Sequence, residues 1–91
     1  MIEKTAQLFK MMSEPTRLEI LVFLSNEEKS VNEIASSLDI EQSVVSHQLS
    51  KLKAARFVKA KRVGRQMFYS LYDDHITALI KQGVEHAQEI N

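Results

Sequence analysis

The chain has 91 residues, of which 44% are hydrophobic and none is cysteine, and its formal net charge is zero. A chain of this length forms one small domain with a limited core, so help from a second subunit is expected and a deep enzyme cleft is not. The lack of cysteine excludes disulfides, thiol redox switches and thiolate metal sites. With no apolar run of membrane-spanning length and no signal-peptide pattern at the N-terminus, we expect a cytoplasmic protein.

Charged residues are segregated along the chain into three blocks. Residues 1–41 carry four basic and eight acidic side chains, residues 42–72 carry seven basic and no acidic ones, and residues 73–91 carry one basic and four acidic ones. The net charges are therefore −4, +7 and −3. A concentrated positive block is typical of proteins that bind the phosphates of duplex DNA, and an acidic C-terminal block suits a cation.

Two helices are predicted in the N-terminal third. Apolar residues at helical spacing indicate an amphipathic helix over residues 1–12. Ser13 is expected to cap a second helix that has Pro15 in its first turn. Because that helix is apolar nearly all round, we expect it to be the buried central helix. Residues 25–29 are predicted to form a polar loop.

A helix-turn-helix is predicted over residues 31–56. Ser30 and Glu33 form the capping-box pattern that opens a third helix, which ends near Leu38. In the fourth helix, residues 42–56, one face is apolar at i, i+4 and i+7. The opposite face carries the short polar side chains of Ser43, Ser46, His47 and Ser50. Such a face beside Lys and Arg suits a helix in the DNA major groove, and an ordinary solvated helix is the alternative.

The hydrophobic pattern changes period after residue 56. Apolar and polar residues alternate over residues 57–71 on either side of Gly64, which predicts a β-hairpin whose tip is residues 62–65. A fifth helix is predicted from about Asp73 to Gln88. The two terminal helices carry more apolar groups than one small domain can bury. We therefore expect a dimer interface formed by Ile2, Phe9, Ile76, Leu79, Ile80 and Val84, with close helix approach at Gly83.

Four potential metal ligands occur at the two ends of the fifth helix: Asp73, His75, His86 and Glu89. His75 and His86 point the same way but are about 16 Å apart along the helix axis, so one cation cannot join them within a single helix. Two copies of the helix packed antiparallel about a two-fold axis bring opposite ends together and form two equivalent sites. Two imidazole nitrogens and two carboxylate oxygens suit tetrahedral Zn(II) and leave no open position for catalysis. Taken by themselves, such residues are more often a helix cap and solvated side chains.

The order of elements, the segments 14–24 (EPTRLEILVFL) and 40–71, and the C-terminal helix resemble the ArsR/SmtB family of metalloregulatory repressors. The resemblance covers essentially the whole chain and implies a mainly α winged helix-turn-helix with a small β-hairpin wing, acting as a homodimer on double-stranded operator DNA. Residues 1–91 are then a single domain, in which segments 1–12 and 73–91 dimerise, 31–56 is the helix-turn-helix and 57–71 is the wing. Neither a membrane nor a protein substrate is expected.

In this family, recognition-helix residues face the major groove and the wing tip reaches an adjacent groove or the backbone. Together with the basic block, the resemblance implies a DNA-contacting set of Gln42, Ser43, Ser46, His47, Lys51, Arg62 and Arg65. Glu41 stands where the family commonly has a small N-capping residue, and an acid at this position favours the helix dipole but not a neighbouring phosphate.

The resemblance also implies Asp73, His75, His86 and Glu89 as ligands of Zn(II) sites shared between subunits, as in zinc-sensing members. Residues 31–35 contain no cysteine, so the thiolate site of other members is absent and soft metals are not expected, whereas Co(II) fits the same ligands. The prediction is a repressor that binds DNA without metal and is released by Zn(II), derepressing metal efflux or homeostasis genes. A regulator that responds to a non-metal signal or to Co(II) or Ni(II), and a small zinc enzyme, are the alternatives. A closed ligand set and the lack of a cleft disfavour the enzyme.

Overall fold

The computed structural model describes residues 1–90 of the chain. The helices are α1 (Ile2–Met12), α2 (Pro15–Phe23), α3 (Val31–Leu38), α4 (Gln42–Ala54) and α5 (Asp74–Glu89). The strands are β1 (Lys29–Ser30), β2 (Val58–Val63) and β3 (Gln66–Leu71), and they form an antiparallel sheet in the order β1-β3-β2. The predicted fold class, mainly helical with a small β wing, is confirmed. No helix among the described residues is long and apolar enough to cross a membrane.

The hydrophobic core lies between α2, α3, α4, α5 and the base of the wing. Its buried members are Ile20, Leu21, Leu24, Ile34, Val45, Leu49, Leu52, Phe57, Val58, Leu71, Ile76 and Ile80. Helix α1 contributes no fully buried residue and packs on this core only through Leu8, Met11 and Met12. The prediction that α2 is the buried central helix holds for one side only, because Leu18 and Val22 remain 36% and 37% exposed.

The apolar residues assigned to a dimer interface divide into three groups by burial, of which the half-buried group is Leu79 and Val84. Ile76 and Ile80 are 6% and 2% exposed, so they belong to the core of their own subunit and their assignment to the interface was wrong. By contrast, Ile2 is 81% and Phe9 is 51% exposed. Helical spacing marks α5 as amphipathic but does not distinguish a face covered by its own subunit from one left open.

Ser13 does not cap α2, contrary to the prediction. Its hydroxyl donates to the carbonyl of Lys10 and its backbone ends α1 in the helical region. The N-cap is Glu14, whose carboxylate accepts hydrogen bonds from the backbone N–H groups of Arg17 and Thr16. Pro15 explains the difference, because a residue that precedes proline is driven to extended backbone, the conformation that an N-cap requires.

The turn between α3 and α4 is set by local backbone chemistry. The predicted capping box is present, with the Ser30 hydroxyl accepting from the N–H of Glu33 and the Glu33 carboxylate accepting from the N–H of Ser30. At the other end of α3, Asp39 takes a left-handed conformation with φ of 55°, and the N–H of Ile40 bonds to the carbonyl of Ala35. Asp tolerates this conformation better than most residues, which allows a short turn.

Helix α4 ends at Ala54, two residues earlier than predicted. Arg56 has φ of 61°, and the N–H of Phe57 donates to the carbonyl of Leu52 at 2.8 Å. This is the Schellman pattern, and it usually places glycine where Arg56 stands, so the sequence carried no signal for it. The sharp reversal directs Phe57 into the core, where it is 2% exposed.

The wing has three strands instead of the predicted two. Strands β2 and β3 pair from Val58 opposite Leu71 to Val63 opposite Gln66, and Gly64 has φ of 63° at the first position of a two-residue turn, as expected. The additional strand β1 lies within and just after the predicted loop 25–29 and pairs with the middle of β3. Two residues are too few to show an alternation of apolar and polar side chains, so the sequence pattern could not predict this strand.

Candidate nucleic-acid interface and metal centre

The recognition helix α4 separates its two faces as the periodicity predicted. Val45, Leu49 and Leu52 are fully buried. The five residues predicted to contact DNA from this helix are all exposed on its outer side, namely Gln42, Ser43, Ser46, His47 and Lys51. Glu41 precedes them and makes no side-chain capping bond. This arrangement leaves hydroxyl, amide, imidazole and ammonium groups free for base edges and phosphates.

The wing tip places two guanidinium groups beside the turn. Arg62 and Val63 are the last two residues of β2, and Arg65 directly follows Gly64 in the turn. Both arginines are exposed. Within residues 1–90 neither of them forms an ion pair. Lys61 differs, because its ammonium group lies 3.4 Å from the carboxylate of Glu28. The guanidinium groups of Arg62 and Arg65 are therefore more available to bind phosphate than the ammonium group of Lys61.

Two side chains next to this interface were not singled out by sequence reasoning. Val44 is 41% exposed among the polar residues of α4, and the helical periodicity assigned it to neither face. Arg17, in the first turn of α2, places Nη1 3.4 Å from Oε1 of Gln48 on α4 and donates from Nε to the carbonyl of Met11. The available signal for Arg17 was its position in the first turn of a mainly apolar helix, where it is the one basic residue.

Asp73 and His75 form a pair at the start of α5. Asp73 is the N-cap of this helix, and its Oδ1 accepts a hydrogen bond of 3.1 Å from the N–H of Ile76. Its other oxygen, Oδ2, lies 3.5 Å from Nδ1 of His75. The Ile76 hydrogen bond and, secondarily, His75 hold the pKa of Asp73 below its ordinary value. Capping engages Oδ1 and leaves Oδ2 beside His75, so the cap does not exclude a role for Asp73 as a metal ligand.

His86 and Glu89 form the second pair, in the last turn of α5. Nδ1 of His86 lies 3.8 Å from Oε1 of Glu89, and their side chains are 77% and 75% exposed. The His75 side chain is 93% exposed. No group of three or more potential ligands converges within the described part of the chain. One subunit therefore places one imidazole–carboxylate pair at each end of α5, and the two pairs do not meet.

A groove of about 300 Å³ runs between α1, α2 and α5. Its apolar walls include Phe9, Met12, Leu18, Leu79 and Val84. Gly83 also lines it, and a Cβ added there would meet no atom within 4 Å. The close helix approach that we expected at Gly83 is thus not provided by this subunit.

The helix-turn-helix followed by an antiparallel wing defines the chain as a winged helix-turn-helix protein, a class of DNA-binding proteins. Residues 14–60 match the sequence profile described as bacterial regulatory protein, arsR family. The chain belongs to this family. Its members are transcriptional regulators, which confirms the prediction that the chain is not an enzyme.

Two curated relatives show the extent of the similarity. The chain is 37% identical over 87 residues to a transcriptional repressor SmtB homolog from Synechocystis sp., covering 96% of this chain and 66% of that protein. It is 35% identical over 88 residues to the HTH-type transcriptional regulator NmtR of Mycobacterium tuberculosis, covering 97% of this chain and 73% of that one.

Solved structures agree with this assignment. The solution structure of apo-NmtR has a TM-score of 0.87 at 34% identity and covers 99% of this chain and 76% of its own. HlyU from Vibrio cholerae has a TM-score of 0.83 at 32% identity, and the match covers 88% of this chain and 87% of HlyU. A winged helix-turn-helix domain from Mycobacterium bovis, described as homodimeric, has a TM-score of 0.89 at 26% identity, with coverage of 97% and 82%.

Proposed function

We propose that this chain is a zinc-responsive transcriptional repressor. It binds operator DNA as a metal-free homodimer and releases the DNA when Zn(II) occupies two sites shared between the subunits, which derepresses genes of metal efflux or homeostasis. The observation that carries the proposal is the arrangement of α5, with one exposed imidazole and carboxylate pair at each end.

The ligand set fits zinc when two α5 helices pack antiparallel. Asp73 and His75 of one subunit would then face His86 and Glu89 of a second copy, giving two nitrogen and two oxygen donors to each ion. The hydrogen bond from Ile76 to Asp73 supports this, because ligating carboxylates are usually oriented by a second hydrogen bond. Co(II) suits the same donors, whereas metals that prefer thiolate find no cysteine in the chain.

The DNA-reading function is assigned to the exposed side of α4 and to the wing tip. The basic block of residues 42–72 supplies phosphate contacts, and Gln42, Ser43, Ser46 and His47 supply hydrogen-bonding groups for base edges. In a dimer the two α4 helices must enter successive major grooves about 34 Å apart. Any change in the packing of α5 against its counterpart alters that separation.

Zinc then acts through subunit arrangement and not by covering the DNA-binding face, because the proposed ligands lie on α5. A bound cation would cross-link two subunits and favour one dimer geometry. The second ring nitrogen of His75 or His86 is available to donate to a neighbouring carbonyl or carboxylate and so to transmit the change. The coupling is expected to be negative, roughly 1–3 kcal/mol, and reciprocal: operator DNA weakens zinc binding by the same factor.

A regulator that answers to a signal other than metal is the second candidate. The similarity to HlyU leaves it open, since that protein shares the fold with a TM-score of 0.83, compared with 0.87 for apo-NmtR. The absence of cysteine excludes a thiol-based signal for this chain. Unchanged DNA binding upon addition of zinc would favour this second candidate over the first.

The test is binding of the full chain to a fluorescent operator duplex, obtained by selection from random DNA, with and without zinc and with a chelator. We expect zinc to weaken binding by roughly 5- to 150-fold and the chelator to restore it. The variants His86→Gln and Asp73→Asn should bind DNA normally and lose the zinc response, because each removes one proposed ligand from both sites of the dimer. Asn is preferable to Ala at position 73 because it can still cap α5.

Matched controls are Asp74→Asn and Glu85→Gln, which remove neighbouring exposed carboxylates of α5 that are not in the proposed ligand set. Both should respond to zinc as the wild type does. Release of Asp73→Asn or His86→Gln from DNA at wild-type zinc concentrations would contradict the site.

A further inference from the structure

We propose that Val44 is a specificity-determining residue that contacts the C5-methyl group of a thymine in the major groove. This inference rests on the DNA-binding part of the proposed function and is independent of the zinc response. Val44 is 41% exposed, whereas Val45, the next residue in the same helix, is fully buried. The side chain therefore projects from α4 instead of serving the core.

Val44 belongs neither to the buried core nor to the partly buried residues packed against it. It lies in the first turn of α4, where its N–H bonds to the carbonyl of Glu41 at 3.0 Å. Valine is a weaker helix former than alanine, because its branched side chain loses rotamer freedom in a helix. That same restriction leaves essentially one preferred side-chain rotamer, so two methyl groups are held rigidly at the surface.

The surroundings of Val44 identify what it meets. Ser43 and His47 flank it, Lys51 lies two turns further along the same side, and all three are exposed. Gln48, on the adjoining side, is held by Arg17. N-terminal residues of the recognition helix are the ones that reach base edges in helix-turn-helix complexes, and thymine is the standard base that presents a methyl group there. An apolar side chain among these polar ones can thus distinguish thymine, which carries a C5-methyl group, from cytosine, which does not.

The experiment is a selection of duplexes from a randomised library by the wild-type full chain and by Val44→Ala and Val44→Thr. The wild type should enrich thymine at one position of each half-site. Val44→Ala should enrich the same site without that preference, whereas Val44→Thr, which keeps one methyl group, should retain part of it. As a comparison, Ser46→Ala should keep the thymine preference and alter another position.

Deoxyuridine, which lacks the methyl group, gives the quantitative test on the selected duplex. Replacing that thymine should weaken wild-type binding by about fourfold per half-site, the factor expected for burial of one methyl group. Val44→Ala should bind both duplexes equally, and deoxyuridine elsewhere in the site should have a smaller effect.

The outcomes separate this inference from the function on which it rests. Failure to enrich any sequence would refute both. Enrichment of a site at which the wild type and Val44→Ala show the same thymine preference, or the same loss with deoxyuridine, would overturn the role of Val44 alone and leave the regulator intact.

Discussion

The guanidinium of Arg17 donates a hydrogen bond of 2.8 Å to the backbone carbonyl of Met11. In a continuous helix that carbonyl would accept from the residue four positions later, which here is Pro15 and has no N–H. Arg17 therefore satisfies an acceptor that the proline leaves open, and its other arm reaches Gln48 on α4. Since α1 has no fully buried residue, this polar bridge is one of its firmer attachments to the rest of the subunit.

Replacing Arg17 by methionine should lower the free energy of unfolding by about 1 kcal/mol, because the Met11 carbonyl loses its partner. Urea denaturation measures the change. Gln48→Ala removes only the longer contact of 3.4 Å and should have a smaller effect. If both variants unfold at the same urea concentration as the wild type, the bridge contributes nothing to stability.

Operator affinity should fall steeply with salt, because several lysines and arginines displace counterions from DNA. Arg65→Ala should reduce the slope of log K against log salt by about one and weaken operator and random DNA alike. Lys61→Ala should change the slope less, since Glu28 already lies 3.4 Å from that ammonium group. Ser46→Ala should instead weaken the operator more than random DNA. A slope near zero for the wild type would show that contacts between basic side chains and phosphates do not drive binding.

Gly83 gives a test of the dimer that does not disturb the subunit. A Cβ added there meets no atom within 4 Å in its own chain, and glycine in a helix interior costs about 1 kcal/mol relative to alanine. Gly83→Leu should therefore raise the stability of the folded subunit yet dissociate the dimer in sedimentation at micromolar concentration. Gly83→Ala should weaken the dimer less than Gly83→Leu does. Persistence of a Gly83→Leu dimer would exclude close packing at this position.

Acid should remove the contribution of Glu14 to stability. Two backbone N–H groups, that of Arg17 foremost, hold the pKa of this carboxyl below its ordinary value of 4.5. A lowered folded-state pKa means that the contribution is complete above the ordinary value and is lost as the pH falls through the lower one. Urea unfolding from pH 7 to pH 3 should therefore show a difference between wild type and Glu14→Gln that shrinks below about pH 4.5.

The matched variant for the pH test is Glu19→Gln, an exposed residue of α2 without a capping role. Its difference from the wild type should change less over the same range. A difference for Glu14→Gln that stays constant down to pH 3 would show that the carboxylate charge plays no part in the cap.

Most helices and the hairpin could be predicted because their signals lie within a few residues of one another. Val45, Leu49 and Leu52 recur with the helical period, and all three are buried. Ser30 and Glu33 make the two reciprocal bonds that their spacing predicted. Gly64 takes the positive φ that the two-residue turn requires. The side chains of Asp73 and His75, and those of His86 and Glu89, also lie within 4 Å of each other, as the short spacing of each pair in the sequence led us to expect.

Tertiary structure alone decided which partner covers each surface. Sequence patterns mark a residue as apolar, but they do not say whether the cover comes from the same subunit: Ile80 enters its own core, while Phe9 stays half exposed. Strand β1 exists because β3 offers unpaired backbone groups beside it, and two residues carry no period of their own. The bridge from Arg17 to Gln48 likewise joins residues that lie far apart in the chain. Local sequence sets the direction of a side chain relative to its helix, whereas the packing of helices determines what that side chain meets.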